Sequence, residues 1–265
     1  MARDRRIAAN LTIAQPIPKT GEAVKSAVRV LELLELFQEV QRPLSIAEMS
    51  ASLGYPYSST AALTKTMAQE GHLREVGRPR RYMPTLRVAA LGLWVDHYHG
   101  QGGSVLTAMQ SLHDGTGHTV VLHGRNGIYS QFLHLIENPA RALEWHVRTG
   151  FVRPLSACAS GLVYLGTQPD GKIARIAHRC NAEATIPEDR VSPVTLMEEI
   201  AQIRRDGHIF AENAGVRGAV YIGVAVPSRD QQDSLVIGFG GLAEEMRARR
   251  AEYVSLLREA AASLQ

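Results

Sequence analysis

The side chains best suited to covalent chemistry lie in one short segment of the second half of the chain, PLSACASG. Cys158 and Ser160 are both potential nucleophiles there. A nucleophilic thiol or hydroxyl needs a base within hydrogen-bonding distance. The sequence does not show whether any of the histidines at 113, 118, 123, 134, 146 and 178 would supply one. A small buried thiol is therefore the favoured interpretation of Cys158.

Motifs of the common enzyme classes are missing from the sequence. It contains no Gly-x-Ser-x-Gly elbow, no Walker loop and no HExxH. His178 and Cys180 are residue types that bind metal ions, but no second half of such a site is evident in the sequence. We predict no catalytic residue, no metal site and no cofactor.

A different chemistry is indicated by YPYSSTAALTKTMAQEG, which predicts a helix over residues 57–70. One face carries mostly small side chains: Ser58, Ala61, Ala62, Lys65 and Gln69. Small residues let a helix enter a groove deeply, hydroxyls reach bases or phosphates, and alanine methyls contact thymine methyls. The opposite face, with Thr60, Leu63, Thr64 and Met67, would pack against a preceding helix.

Two predicted helices precede this one. SAVRVLELLELF has helical spacing, with a predicted buried face made of Ala27, Val30, Leu31, Leu34 and Phe37. A second, short helix begins where Ser45 and Glu48 form a capping box, and it ends at Gly54. Pro56 suits the entrance to the third helix.

A basic hairpin follows the third helix. HLREV-GRPR-RYMP predicts two short strands, with Arg78, Arg80 and Arg81 at the tip. Three helices followed by such a hairpin are typical of a winged helix-turn-helix, whose wing reaches the DNA backbone or minor groove. The alternative is a small helical bundle with an incidentally basic loop.

The charge distribution also favours a polyanionic partner for the front of the chain. Residues 1–90 hold 13 Lys and Arg against 8 Asp and Glu, whereas residues 91–265 hold 16 against 18. A chance asymmetry is the alternative. Residues 1–22 are predicted to be a flexible basic arm bearing Arg3, Arg5 and Arg6, which either binds a groove or only solubilises the chain.

These motifs resemble the DNA-binding domain of the IclR (isocitrate lyase regulator) type of bacterial transcription factor. The resemblance covers the Pro-Leu-Ser entry, the Leu-Gly-x-Pro turn, the Ser-Ser helix start and the Lys-Thr-Met…Glu-Gly ending. It implies a winged helix-turn-helix over residues 23–84. The implied DNA contacts are Tyr57, Ser58, Ser59, Ala61, Ala62, Lys65, Arg78, Arg80 and Arg81. The family's usual arginine in the middle of the recognition helix is missing here, so the family's operator preference is not transferred.

The segment PTLRVAALGLWVDHYHGQ predicts a helix that is apolar on every side. Such a helix must be buried between bodies. We interpret residues 85–101 as an interdomain helix that packs against its copy in a second subunit, as the resemblance also implies. A homodimer, or the larger homotetramer, would then present two heads to a pseudo-palindromic double-stranded operator. An ordinary core helix of the following domain is the alternative.

The remainder of the chain, residues 102–265, mixes helical and strand patterns. SVLTAMQSLHDGTG is amphipathic, with Val105, Met109 and Leu112 aligned. HTVVLH and IYSQFLHLI flank a turn signal at Asn126-Gly127, AVYIGVAVP and SLVIGFGG predict further strands, and RAEYVSLLREAAASLQ predicts a closing helix. This pattern indicates an α+β domain with an antiparallel sheet.

The family resemblance continues through VRTGFVRPLSACASGLVYL and RRDGHIFAENAGVRGAVYIGVAVPSRD. It implies a GAF-like domain that binds a small organic effector. Carried over by position, the implied effector-binding residues are Leu155, Cys158, Ala159, Ser160, Glu212, Tyr221, Gly238 and Gly240.

Three of these positions depart from the family pattern. Family members that bind small carboxylates often have serines where this chain has Gly238 and Gly240, and often cysteine where it has Tyr221. The two glycines remove hydroxyls that could bind a carboxylate and leave more volume, and Tyr221 adds a flat ring. These differences suggest a larger, aromatic effector. Ser160 and the adjoining helix-start amides would hold its polar end. The alternative for the two glycines is a strand kink or bulge.

The sequence as a whole indicates a one-component transcriptional regulator. It has no secretory signal pattern and no apolar run near the ~20 residues that span a bilayer, and its two cysteines suggest a reducing cytoplasm. Two other classes stay open: a small enzyme with a basic accessory head, and a ligand-binding protein whose head has lost DNA affinity.

Overall fold

A computed structural model of the 265-residue chain describes residues 15–18, 23–99, 103–138, 148–212, 218–226 and 234–264. The chain divides into two compact units. One unit spans residues 19–96, and the other combines residues 1–18 with 97–265. Arg3, Arg5 and Arg6 of the predicted basic arm lie outside the described residues. Gln15 exchanges two backbone hydrogen bonds with Val152 (2.8 and 3.3 Å), so residues 15–18 belong with the second unit.

The first unit is a winged helix-turn-helix, as predicted. Its elements in chain order are α1 (Lys25–Val40), α2 (Ile46–Leu53), α3 (Tyr57–Gln69), β1 (Leu73–Val76), β2 (Arg81–Pro84) and most of α4 (Leu86–His99). β1 and β2 pair antiparallel with Leu73 opposite Pro84. Leu44 adds a short bridge to Tyr82, which ties the start of α2 to the wing.

The buried face of α1 is rotated from the predicted one. Leu33, Leu36 and Phe37 are the buried residues of the helix, whereas Leu31 is 60% exposed and Ala27 is exposed as well. The prediction for Leu31 and Ala27 was therefore wrong. The run LELLELF fits more than one helical face, and packing against α2 and β2 selects among them.

The capping box of α2 is confirmed. The Ser45 hydroxyl accepts from the Glu48 backbone N–H (3.2 Å), and the Glu48 carboxylate accepts from the Ser45 backbone N–H (2.8 Å). Arg42 and Arg81 also donate to Glu48, at 2.9 and 2.8 Å. The hydrogen bonds from Ser45, followed by the one from Arg42, lower the pKa of Glu48 to about 2. One carboxylate thus joins the start of α2 to the wing.

Helix α4 leaves its large apolar side chains exposed in the single chain. Leu86, Leu91, Leu93 and Trp94 are all more than half exposed, and Trp94 is 68% exposed. These side chains are therefore not buried in the single chain, and the role of residues 85–101 as a dimerising interdomain helix stays a prediction. The side chains of His97 and His99 lie outside the described residues.

The second unit is built on a six-stranded antiparallel sheet with the order β5-β4-β3-β8-β7-β6. Its elements, with two short 3₁₀ turns at residues 155–157 and 187–189, are α5 (Val105–Thr116), β3 (Thr119–Asn126), β4 (Tyr129–Ile136), β5 (Val152–Pro154), α6 (Ala159–Gly166), α7 (Asp170–Glu183), α8 (Pro193–Asp206), β6 (Ile209–Glu212), β7 (Ala219–Val226), β8 (Leu235–Leu242), α9 (Ala243–Ala248) and α10 (Arg250–Ala262). The predicted α+β class and antiparallel sheet are confirmed. The turn between β3 and β4 is Gly127-Ile128, one residue later than predicted.

Helices cover both faces of this sheet, and alternation along the strands divides the core into two layers. Along β7, Tyr221 packs with α6, α7 and α8, whereas Val220 and Ile222 pack with α5 and α10. The predicted stripe of α5 is confirmed, because Val105, Met109 and Leu112 are all buried. None of the described helices is long and apolar enough to cross a membrane.

Candidate functional site

The predicted contact face of α3 is accessible to a partner. Ser58, Ala62 and Lys65 are exposed, Ala61 is half-buried, and Tyr57 is 59% exposed. The opposite face holds the helix in place, as its three buried residues are Thr60, Thr64 and Met67. The hydroxyls of Thr60 and Thr64 are bonded to backbone carbonyls one turn back, which lets both threonines be buried.

The entrance of α3 is fixed by an arginine that the sequence did not single out. Arg29 of α1 lies over the ring of Tyr55, 4.5 Å from its centroid, and donates to the Ser59 hydroxyl at 3.2 Å. The Tyr55 hydroxyl in turn donates to Glu32. Ser59 is therefore half-buried and bound within the head. No pattern in the sequence connects Arg29 with Ser59, thirty positions away.

The three predicted wing arginines have different surroundings. Arg78 is exposed in the turn, and Arg80 forms a salt bridge of 2.9 Å with Glu75. Arg81 lies in β2, not at the tip, and its guanidinium is engaged by Glu48 and by the Pro43 carbonyl (3.1 Å). The predicted position of Arg81 at the tip was wrong, because the tip consists of the four residues 77–80 between β1 and β2 and Arg81 is the first residue of β2.

A second candidate site is a cavity between the sheet of the second unit and the start of α6. Strands β3, β4, β5 and β7 supply one wall, and the first residues of α6 supply the other. The cavity is lined by Val121, His123, Phe132, Arg153, Cys158, Ala159, Ser160 and Tyr221. The space among these atoms is about 350 Å³, including the part that is open to solvent, and in this conformation it is narrow.

Half of the predicted effector-binding set lines this cavity, namely Cys158, Ala159, Ser160 and Tyr221. Leu155, Glu212, Gly238 and Gly240 are not among the lining residues. Leu155 is fully buried in the core, and the Glu212 carboxylate accepts two hydrogen bonds from Arg247, at 2.5 and 2.6 Å. The structure thus brings together only part of what the resemblance implied.

Gly238 has a specific packing role beneath the ring of Tyr221. A Cβ at Gly238 would lie 2.6 Å from the Tyr221 hydroxyl and 2.5 Å from the Ile222 carbonyl oxygen, and one at Gly223 would lie 2.6 Å from the same ring. Gly223 and Gly238 are directly opposite in the β7–β8 ladder. The volume that the resemblance implied would be free at Gly238 is therefore filled by the Tyr221 ring.

His123 is buried in a cluster of rings inside the cavity. Its ring centroid lies 4.5 Å from that of Phe132 and 5.6 Å from that of Tyr221, which it meets edge-on. Burial lowers the pKa of His123 to about 3, so the imidazole is neutral at physiological pH. Burial also raises the pKa of the Tyr221 hydroxyl. Both polar rings consequently contribute no charge to the cavity.

The two potential nucleophiles are bound to each other and to neighbouring groups. The Ser160 hydroxyl lies 2.9 Å from that of Ser130 and 3.7 Å from the Cys158 sulphur. Burial raises the pKa of the Cys158 thiol, which disfavours the thiolate that a nucleophile requires. Cys180 is buried on α7, whereas His178 is exposed on the same helix. The two possible metal ligands that the sequence suggested therefore do not form half of a common site.

Arg153 is the functional candidate that sequence reasoning missed. It is only 1% exposed, and one nitrogen, Nη2, lies 3.5 Å from Asp189. Its Nε and Nη1 have no hydrogen-bond partner among the described residues. An unpaired buried donor costs about 1–3 kcal/mol, and more if it is charged. The only sequence signal is an arginine within an otherwise apolar short strand.

Both units match models of known protein families. Residues 26–77 match the model of the IclR helix-turn-helix domain, and residues 104–265 match that of the C-terminal domain of bacterial IclR transcriptional regulators. The chain belongs to the IclR family of bacterial transcriptional regulators. In this family the first unit is the DNA-binding domain and the second is the effector domain. The α3 face therefore lies in the DNA-binding domain, and the cavity lies in the effector domain.

Individual IclR-family proteins agree with this assignment. The transcriptional repressor IclR of Escherichia coli is 25% identical over 241 residues, which is 84% of this chain and 82% of that protein. The effector domain of a regulator from Acinetobacter sp. ADP1 is 29% identical, with a TM-score of 0.54 over 60% of this chain and 92% of the other. An IclR homologue from Microbacterium hydrocarbonoxydans, solved with 4-hydroxybenzoate, is 19% identical with a TM-score of 0.62, covering 90% and 97% of the two chains.

We predict that the space beneath Tyr221 couples this residue to the opposing glycines. Gly223→Ala should destabilise the domain by about 1–3 kcal/mol, because the new methyl overlaps the ring. In a Tyr221→Cys background the same substitution should lower the free energy of unfolding by at least about 1 kcal/mol less. Denaturant unfolding of the wild-type chain, the two single variants and the double variant measures this difference. Gly238→Ala is the matched comparison and should be relieved less, because its overlap with the Ile222 carbonyl remains. Equal costs of Gly223→Ala in both backgrounds would contradict this packing.

We also predict acid sensitivity from His123. Below pH 6.5 the unfolded chain binds a proton at this residue, and the folded chain does not do so until about pH 3. Stability is thus lost as the pH falls, by about 2 kcal/mol from this residue between pH 7 and pH 5. Denaturant titrations should show a shallower loss for His123→Gln. His178→Gln, on the exposed side of α7, is the control and should keep the wild-type slope; an unchanged slope for His123→Gln would refute the assignment.

Proposed function

We propose that this chain is a one-component regulator in which a small organic molecule, bound in the cavity lined by His123, Arg153 and Tyr221, alters operator binding by α3. The observation that carries the DNA-binding part is the exposure of Ser58, Ala62 and Lys65 on one face of a helix whose other face is packed. Binding at one site would change the affinity at the other through a coupling free energy. Such a regulator works at the chromosome, in the cytoplasm.

Contacts to the DNA are proposed for two parts of the head, α3 and the wing. The α3 face would enter the major groove, with Lys65 at a phosphate. Arg78 is exposed in the wing turn and is the wing arginine best placed to reach a backbone. Arg80 would have to leave Glu75 to do so, and Arg81 would have to leave Glu48. Tyr57, Ser59 and Ala61 complete the proposed set.

The proposed effector is aromatic. Three rings, those of Phe132, His123 and Tyr221, line the cavity and offer flat apolar surfaces to a planar ligand. A structural neighbour with the same fold was solved with 4-hydroxybenzoate, which suggests aromatic acids as probes. Leu155, Glu212, Gly238 and Gly240 would act on the ligand only through neighbouring residues.

Oligomerisation is proposed through α4. Its exposed Leu86, Leu91, Leu93 and Trp94 form an apolar surface of the kind that soluble chains cover with another protein surface. A homodimer, or a homotetramer built from it, would present two heads to a pseudo-palindromic operator.

One alternative has an observation in its favour. The absence of an arginine from the middle of α3 would fit a ligand-binding protein whose head has lost DNA affinity. Catalysis is disfavoured, because the Cys158 thiol is buried with a raised pKa.

We predict specific, salt-sensitive binding to the DNA upstream of the chain's own coding sequence. Lys65→Ala and Arg78→Ala should each weaken binding several-fold and reduce the slope of log K against log salt by about 1, because each removes one phosphate contact. Ala62→Glu should weaken binding at least about tenfold by placing a bulky negative charge in the groove. Gel shifts over a salt series measure all three effects.

Arg179→Ala is the charge-matched control for these variants. Arg179 is exposed on α7 of the other unit and paired with Glu183, so its loss should leave both affinity and salt slope unchanged. Equal affinity of the wild-type chain for unrelated DNA would favour the ligand-binding alternative.

A further inference from the structure

The cavity contains a buried cation whose hydrogen bonds are incomplete. Arg153 lines the cavity and is almost fully buried, yet Nε and Nη1 have no partner among the described residues. Buried charges in proteins are normally paired and fully hydrogen-bonded, because desolvation of a bare charge is costly. A ligand that supplied negative charge at this point would complete the site.

The charged groups around Arg153 do not supply this charge on the cavity side. Asp189 meets only Nη2, at 3.5 Å, and it is not among the residues that line the cavity. The other polar side chains of the lining are those of His123, Cys158, Ser160 and Tyr221, all of them uncharged at neutral pH. Arg153 is thus the one charged side chain among the eight that line the cavity.

A second group of donors lies on the opposite wall, at the start of α6. This helix has eight residues, and its N-cap, Cys158, provides no side-chain capping bond. The first turn of a helix offers backbone N–H groups and the positive end of the helix dipole. The Ser160 hydroxyl, paired with Ser130, is on the same wall. Two independent features therefore favour an anion.

We propose that Arg153 binds the carboxylate of an aromatic monocarboxylic acid, with the start of α6 and Ser160 as further donors and the rings of Phe132 and Tyr221 around the aromatic part. This assignment rests on the proposed function, since it takes the cavity to be the effector site. It makes Arg153 the residue that distinguishes an acid from its neutral analogue. Because the cavity is narrow, the ligand must displace a lining side chain as it enters.

The test is calorimetry on the full-length chain with benzoate, 4-hydroxybenzoate and phenylacetate, each compared with its amide. At least one acid should bind, and its amide should bind at least about 30-fold more weakly, because only the carboxylate pairs with the guanidinium. Arg153→Met should lose a similar factor for the acid and little for the amide. Arg153→Lys should retain part of the preference, since it keeps the charge but loses the fork of donors.

Arg179→Met is the matched control and should bind the acid as the wild-type chain does. Thermal unfolding establishes whether Arg153→Met folds; if it does not, the acid–amide comparison on the wild-type chain decides alone. The proposal is overturned if none of the acids binds, if an amide binds as tightly as its acid, or if folded Arg153→Met keeps the affinity. If the acid binds through Arg153 but leaves operator gel shifts unchanged, the proposed function is contradicted and the proposed carboxylate site is not.

Discussion

The carboxylate of Glu48 is the point at which the parts of the DNA-binding domain meet. It closes the capping box with Ser45, and it accepts hydrogen bonds from Arg42 before α2 and from Arg81 in β2. The helix-turn-helix and the wing therefore share one acceptor. This arrangement also explains why a basic wing does not leave all its arginines available: Arg81 holds the wing in place, and Arg78 is exposed in its turn.

A comparable constraint shapes the effector domain, where the ring of Tyr221 lies over two glycines on neighbouring strands. Gly223 and Gly238 face each other across the ladder and leave just enough depth for the ring. The ring then forms part of the cavity wall together with His123, whose burial keeps it neutral. The same few residues thus determine both the shape and the polarity of the cavity.

The elements of the fold could be predicted from sequence because periodicity, caps and turn residues are local signals. The choice between helical faces could not, since α1 carries leucines all round and only packing buries Leu33 in place of Leu31. The exposed face of α3, in contrast, could be predicted because its residues lie at helical spacing within one helix. The residues of the cavity could be predicted only in part. Arg153 and His123 come from strands far apart in the chain, and the contact of Gly238 with a tyrosine ring depends on cross-strand register.

The short bridge between Gln15 and Val152 has a topological meaning. Residues 15–18 belong to the effector unit, the DNA-binding unit follows them in the chain, and the effector unit resumes at residue 97. In chain order the DNA-binding unit is therefore an insertion into the effector unit, and the segment before it pairs with β5, the strand that carries Arg153. A chain shortened past Gln15 would lose both backbone hydrogen bonds between this segment and β5, the strand that brings Arg153 to the cavity.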